Sequence, residues 1–202
     1  PSPSSASTPV STPASTPVSA SVSASRLAVL AASVALSASA VVAPSPYLQQ
    51  SLRKFRPDIH WIPNPLKLER YPFHLRDKPQ PHLVWLRAFH HIYHPTMVPK
   101  LLELLQVDYP AMSARMVGPD KGDDSLQDTM RLAKQLGVLD RLEIVGPVAK
   151  QDVPFQLSHG DIFLNTTNID NSPVSVVEAM ACGLCVVSTN VGGIPYLLEN
   201  GV

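Results

Sequence analysis

The chain has 202 residues, with 16 basic against 16 acidic side chains, which is room for one ordinary domain plus extras. Its balanced charge offers no electrostatic handle for nucleic acid or for an anionic membrane surface. Two cysteines are too few for a disulfide framework and fit a reducing compartment, and five of the 21 prolines fall in the first 20 positions.

Residues 7–26 are a tetrad repeat of STPV, STPA, STPV, SASV and SASR. Proline in repeated tetrads and almost no large side chains cannot bury a core, so residues 1–25 read as a disordered or polyproline-like tail. A mucin-like stalk is the alternative, but nothing downstream looks secreted, and a poorly defined terminus fits better. Residues 26–43 imitate a signal peptide, with one Arg, an apolar run and Ala-x-Ala spacing. The run begins behind the repeat, is diluted by serines, and is too short and polar for a membrane span. The preferred reading is a helix over 26–38 and a buried strand over 40–43. A second helix is expected over 47–55, after Pro44 and Pro46. Residues 57–81 read as a linker with a strand-like start at 59–64.

From His82 short apolar strands alternate with amphipathic helices. Strands are expected at 82–87, 113–117, 142–145, 161–165 and 185–188, and helices at about 95–107, 124–136, 151–158, 173–182 and 193–199. This alternation predicts right-handed βαβ units, hence an α/β fold with a parallel sheet covered by helices on both faces. Ligands of such sheets bind at the carboxyl ends of the strands. Arg87, Gly118 to Lys121, Gly146, and Asn165 to Asp170 fall there.

The densest signal is Asp170 to Gly183. Two carboxylates, Asp170 and Glu178, stand eight residues apart with a helix start between them. Ser172 is the expected N-cap, Pro173 suits the first helical position, and Gly183 the C-cap. Free N–H groups and the positive end of the helix dipole then make an anion site flanked by two acids. Taken alone, the stretch is equally well a capped helix with two incidental acids.

Asp170 to Gly193, with Val186 to Pro195, resembles the donor-site signature of retaining GT-B glycosyltransferases of the glycosyl transferases group 1 kind (family 4). That signature is Glu-x7-Glu, then Ala-Met-Ala-x-Gly-x-Pro-Val-Val and Gly-Gly-x-Pro. Pro44 to Leu48, Trp61 to Asn64, Trp85 to Arg87, Val117 to Asp120 and Gly146 to Val148 are similar to further motifs, in the family's order. The resemblance spans about residues 40–202. It implies the Rossmann-like C-terminal domain of a GT-B fold over 82–202, cut short at its end, preceded by a linker over 57–81 and a remnant of the acceptor domain over 26–56. A catalytic histidine and most of the acceptor site would lie on the missing half, so the chain reads as a fragment, of doubtful activity on its own.

The resemblance also implies roles. Glu178 would accept hydrogen bonds from the ribose of a nucleotide-diphosphate sugar, and Asp170 would hold sugar hydroxyls and stabilise oxocarbenium-like charge. Arg87 and the amides around Val174 and Ser175 would neutralise the diphosphate, with Asn171 and Ser172 beside them in the donor site. Gly146 to Val148 would lie near the nucleobase. No metal and no other cofactor is implied. The acceptor, a sugar, lipid or small molecule, stays open, the location is cytoplasmic, and peripheral membrane association of the parent enzyme is allowed. A non-catalytic sugar-nucleotide-binding domain, an epimerase or a phosphorylase on the same fold are alternatives. Four departures stand out: Asp at the first Glu position, Pro173 for a glycine, Cys185 for a proline, and no basic residue shortly after Arg87.

Three other constellations carry less. Cys182 and Cys185 have redox spacing, but at a helix C-terminus, where the dipole raises a thiol's pKa. His90, His91 and His94 lack an acidic or Cys partner nearby in sequence for a metal. Asn165 heads a glycosylation sequon, yet a strand end facing a ligand suits it better.

Overall fold

In a computed structural model, residues 37–201 are described, and those from Ser39 onward form one unit. The expectations for the tail over 1–25 and the helix over 26–38 lie outside the described residues, the last two positions of that helix apart.

The chain enters as a βαβ unit. Strand β1 (Val41–Ala43) runs parallel to β2 (Ile59–Trp61), joined by helix α1 (Pro46–Arg53). Ser45 caps α1 by accepting the Leu48 N–H at 3.2 Å, and Pro46 takes the first helical position, where no N–H is needed. Gln49 ties the helix to β2 by donating to the Ile59 carbonyl at 2.7 Å.

Five parallel strands follow: β3 (His82–Leu86), β4 (Ser113–Val117), β5 (Leu142–Gly146), β6 (Ile162–Asn165) and β7 (Cys185–Ser188). Their order is β5-β4-β3-β6-β7. The helices are α2 (Met97–Leu105), α3 (Ser125–Gln135), α4 (Val153–Leu157) and α5 (Val174–Ala181). Period-two alternation assigns side chains to faces. Leu83, Trp85, Ala114, Met116 and Leu164 share one core with Val98 and Leu102 of α2 and Ala133 of α3. Val84 and Phe163 share the other with Val153 and Leu157 of α4 and Val176 and Ala179 of α5. The middles of the central strands β3 and β6 are therefore continuously apolar, Leu83 to Leu86 and Ile162 to Leu164, because both faces are covered.

The strand order reverses beside β3: its successors build outward on one side, then β6 pairs with it on the other. A crevice at the carboxyl ends of β3 and β6 follows, which is where open α/β sheets place ligands.

Two local expectations fail. Ser172 is not the N-cap of α5; Pro173 is, because its extended ψ of 108° stops it joining the helix while its carbonyl accepts the Val176 and Val177 N–H groups. The helix expected over 193–199 shrinks to one 3-10 turn, Ile194–Tyr196, since the chain turns at Asn200 and Gly201, the latter at φ +83°. The linker region keeps a single 3-10 turn, Leu68–Arg70, after β2.

Candidate functional site

Arg87 follows β3 directly, its N–H bonded to the Val117 carbonyl at 3.0 Å. The loop after β4 presses against it. A Cβ on Gly118 would stand 1.7 Å from the Arg87 carbonyl oxygen, so only glycine fits. The Arg87 guanidinium lies over the Tyr93 ring, 4.9 Å from its centroid, and Nη2 pairs with Asp170 Oδ2. Its Nε is buried without an acceptor, so the fork keeps donor capacity for an anion.

Asp170 comes from the loop after β6. Burial pushes its carboxyl pKa up, against the opposing pull of Arg87 and of the Asn171 and Ser172 amides. Its loop is fixed by backbone approach: the Gly193 N–H donates to the Asp170 carbonyl at 2.8 Å. A Cβ at Gly192 would reach 2.0 Å from that same oxygen, and one at Gly193 1.7 Å from the Asn171 oxygen. Buried threonines tie the loop to the β3 side as well. Trp85 Nε1 donates to Thr166 Oγ1 at 2.9 Å, and that hydroxyl donates to the Tyr93 carbonyl at 2.6 Å.

Helix α5 opens toward the crevice. The Val174 and Ser175 amides find no acceptor among the described residues, and the buried Ser175 Oγ has no partner either. About a turn further in sits Glu178, 3% exposed. Its Oε1 accepts from the Tyr71 hydroxyl at 2.6 Å and from Lys150 Nζ. Among the described residues nothing donates to Oε2. Burial, with the bond to Glu178 second, raises the Tyr71 pKa, so the phenol keeps its proton.

Arg87, Tyr93, Gly118, Val148, Ser175 and Glu178 line one cleft of about 370 Å3. Asn171, Ser172 and Val174 line a neighbouring hollow of about 210 Å3 instead, facing Trp61, Asn64 and Tyr196. Gly146 lines neither; it ends β5 at φ +81° and accepts the Gly118 N–H at 2.9 Å, while Pro147 and Val148 reach the cleft. Sequence reasoning missed Tyr71 and Lys150. Lys150, two residues past Val148, was within reach of the motif; Tyr71 sits in a linker with no local signal.

The competing constellations weaken. Cys182 is buried and its thiol pKa is raised, mainly by burial, while Cys185 is exposed; both thiols are free. The imidazole of His90 accepts the Ile92 N–H at 3.1 Å, and no group of three potential metal ligands occurs among the described residues. Asn165 is 1% exposed, so its sequon is no surface acceptor. No helix among the described residues is long and apolar enough to cross a membrane.

Comparison with known proteins places this geometry in context. One component of the human phosphatidylinositol N-acetylglucosaminyltransferase is 48% identical over 63 residues, 31% of this chain and 13% of that protein. The D-inositol 3-phosphate glycosyltransferase of Mycolicibacterium smegmatis is 29% identical over 110 residues, 54% of this chain and 25% of that protein. Among solved structures, Anabaena HepE in complex with UDP and glucose superposes with a TM-score of 0.76 at 23% identity, covering 88% of this chain and 52% of that one. Sucrose-phosphate synthase from Thermosynechococcus elongatus gives 0.72 at 18%, covering 87% and 46%. The chain thus spans about half of these structures and a quarter or less of the curated relatives. The family profile "Glycosyl transferases group 1" matches residues 85–202, more than half of the chain, and the chain belongs to that family.

Proposed function

We propose that the chain is the donor-binding half of a glycosyltransferase that moves a sugar from a nucleotide diphosphate to an acceptor hydroxyl with retention. The observation that carries this is that Arg87, Ser175 and Glu178 share one cleft, with Asp170 paired to Arg87 and the open Val174 amide next to that of Ser175. The bond that breaks joins the anomeric carbon to a phosphate oxygen, and the diphosphate leaves with the electron pair. Arg87 and the two amides stabilise that growing charge, and they need no reorganisation to do so. Asp170 faces the opposite charge, which develops on the sugar ring. The acceptor oxygen bonds to the face that the diphosphate vacates, and its proton passes to the departing phosphate oxygen on that same face. Glu178 holds the ribose through Oε2, and Val148 lies along the base. The reading assigns the diphosphate charge to Arg87 and the helix amides rather than to a metal.

Both relatives carry inositol in their names, one as phosphatidylinositol and one as inositol phosphate, which supports a polyol or lipid-linked polyol acceptor. Two free thiols support a reducing, cytoplasmic setting. Titration calorimetry of the chain with UDP, GDP and ADP and their sugars tests the donor assignment; one base should bind, and Glu178→Ala should abolish it. Sugar transfer by the full-length Glu178→Ala protein at the wild-type rate would overturn the site. Pro173, which has no N–H to offer a phosphate, favours a non-catalytic binding role as the second reading, which predicts binding without product.

A further inference from the structure

Glu178 is served from two parts of the chain that sequence motifs do not connect. Tyr71 belongs to the segment between β2 and β3, and Lys150 to the loop after β5, yet both donate to the same oxygen, Oε1. Tyr71 is 6% exposed and packs in the core with Val176 and Ala179, on either side of Glu178 in sequence. Lys150 comes from the solvent side, with its side chain 63% exposed.

The segment carrying Tyr71 is itself tied down along α5. The His74 N–H donates to the Cys182 carbonyl at 3.3 Å, beyond the helix end. Arg76 donates to that carbonyl too, and to Asp161 Oδ1 at 3.2 Å. A Cβ at Gly183 would stand 2.4 Å from the His74 oxygen, so the close seating needs glycine there. Tyr71 is therefore a fixed donor.

A carboxylate has about four lone-pair directions. With Oε1 occupied from inside by a phenol and from outside by an ammonium, rotation of the carboxylate would break two bonds at once. We infer that Tyr71 and Lys150 are positioning residues that lock the Glu178 carboxylate with Oε2 turned to the cleft as the acceptor for a ribose hydroxyl. The inference rests on the donor-binding reading above and adds its specificity device. A locked acceptor binds a hydroxyl without first being ordered, so the lock contributes to affinity only when that hydroxyl is present.

The dependence on the hydroxyl supplies the test. Calorimetry on the full chain first identifies which of UDP, GDP and ADP binds, then compares it with its 2′-deoxy and 3′-deoxy counterparts in wild type, Tyr71→Phe, Lys150→Met and Lys150→Arg. Tyr71→Phe keeps the ring in the core, and thermal melting checks the fold of each variant. The expected result is a roughly tenfold loss of ribonucleotide affinity in Tyr71→Phe and Lys150→Met, in line with one hydrogen bond to a charged group. The same variants should leave the affinity for one of the two deoxy analogues unchanged, and Lys150→Arg should recover most of the loss. Equal weakening of ribo and deoxy forms, or no weakening, overturns the inference while the donor reading stands. Failure of wild type to bind any of the three nucleotides overturns the donor reading and this inference with it.

Discussion

Asp170 and Glu178 are the same functional group eight residues apart, and the fold supports them in opposite ways. Glu178 sits on a helix, is almost wholly buried, and is fixed by side chains: Tyr71 and Lys150 on its oxygen, Val176 and Ala179 packed into the core beside it. Asp170 sits on a loop whose position is set by backbone, with Gly192 and Gly193 against its own and the next carbonyl, and Arg87 as its one side-chain partner among the described residues. A rigid helical acceptor suits a ligand part that does not change during reaction. A loop acid facing a cation suits the atoms where charge shifts. Substitutions at the two ends should therefore fail differently.

The largest effect is expected on the Asp170 side, at Arg87. Arg87→Ala in the full-length protein should lower sugar transfer by roughly 10²- to 10³-fold, the usual range for losing one preorganised donor at developing charge. Nucleotide affinity should fall less, because the proposed Glu178 contact to the ribose does not involve Arg87. Initial-rate assays with a separate binding titration distinguish the two, and equal losses in both would erase the contrast between the acids.

Next comes the backbone support. Gly192 has φ +56° and its Cβ would meet the Asp170 oxygen at 2.0 Å, whereas Gly122, at φ +72°, has nothing within 4 Å. Ala at Gly122 should cost about 1 kcal/mol of stability, for the left-handed backbone alone. Ala at Gly192 should cost about 3 kcal/mol, because the loop carrying Asp170 must also move. Thermal unfolding of the two variants measures the difference. A Gly192→Ala protein as stable as Gly122→Ala would mean that the glycine pair does not hold Asp170.

Much of this was legible in the sequence because the signals are local. Alternating apolar strands and amphipathic helices predict the parallel sheet, and β4 and β7 have the expected bounds, 113–117 and 185–188. The ligand edge also follows, since Arg87 and the Asp170 loop both fall after strands. What was not legible depends on contacts between distant segments. Tyr71 lies 107 residues from Glu178, in a stretch rich in proline and charge, and nothing in its neighbours marks it. The N-cap shifted by one residue because Pro173 takes an extended ψ, which leaves its own carbonyl, rather than the Ser172 side chain, to start the helix. The expected site residues divide between two hollows because α5 presents Ser175 and Glu178 to one and Val174 to the other, although i and i+4 spacing puts Val174 and Glu178 on neighbouring parts of the helix surface, so the split follows from which segments pack around the helix.

The smallest expected effect is a pH dependence confined to the Arg87 side. Asp123, in the loop after β4, accepts the His91 N–H at 2.8 Å and the Ser125 N–H at 3.3 Å, which links that loop to the one after β3. Partial burial raises its pKa, but the Ser125 side chain, the His91 and Ser125 amides and the His91 charge outweigh it and hold the carboxyl at about 2. A carboxyl depressed in the fold stabilises it fully above the unfolded value of about 3.9, and that contribution disappears as pH falls toward 2. Wild type should therefore lose thermal stability more steeply between about pH 4 and pH 2 than Asp123→Asn, while the variant is the less stable of the two above pH 4. Melting curves across that range provide the measurement, and parallel curves would mean that Asp123 does not clamp the loops. The Glu178 lock draws on neither loop, so the ribonucleotide-over-deoxynucleotide preference at neutral pH should be the same in Asp123→Asn as in wild type. A change in that preference would show that the two acids are supported by one coupled network rather than by two.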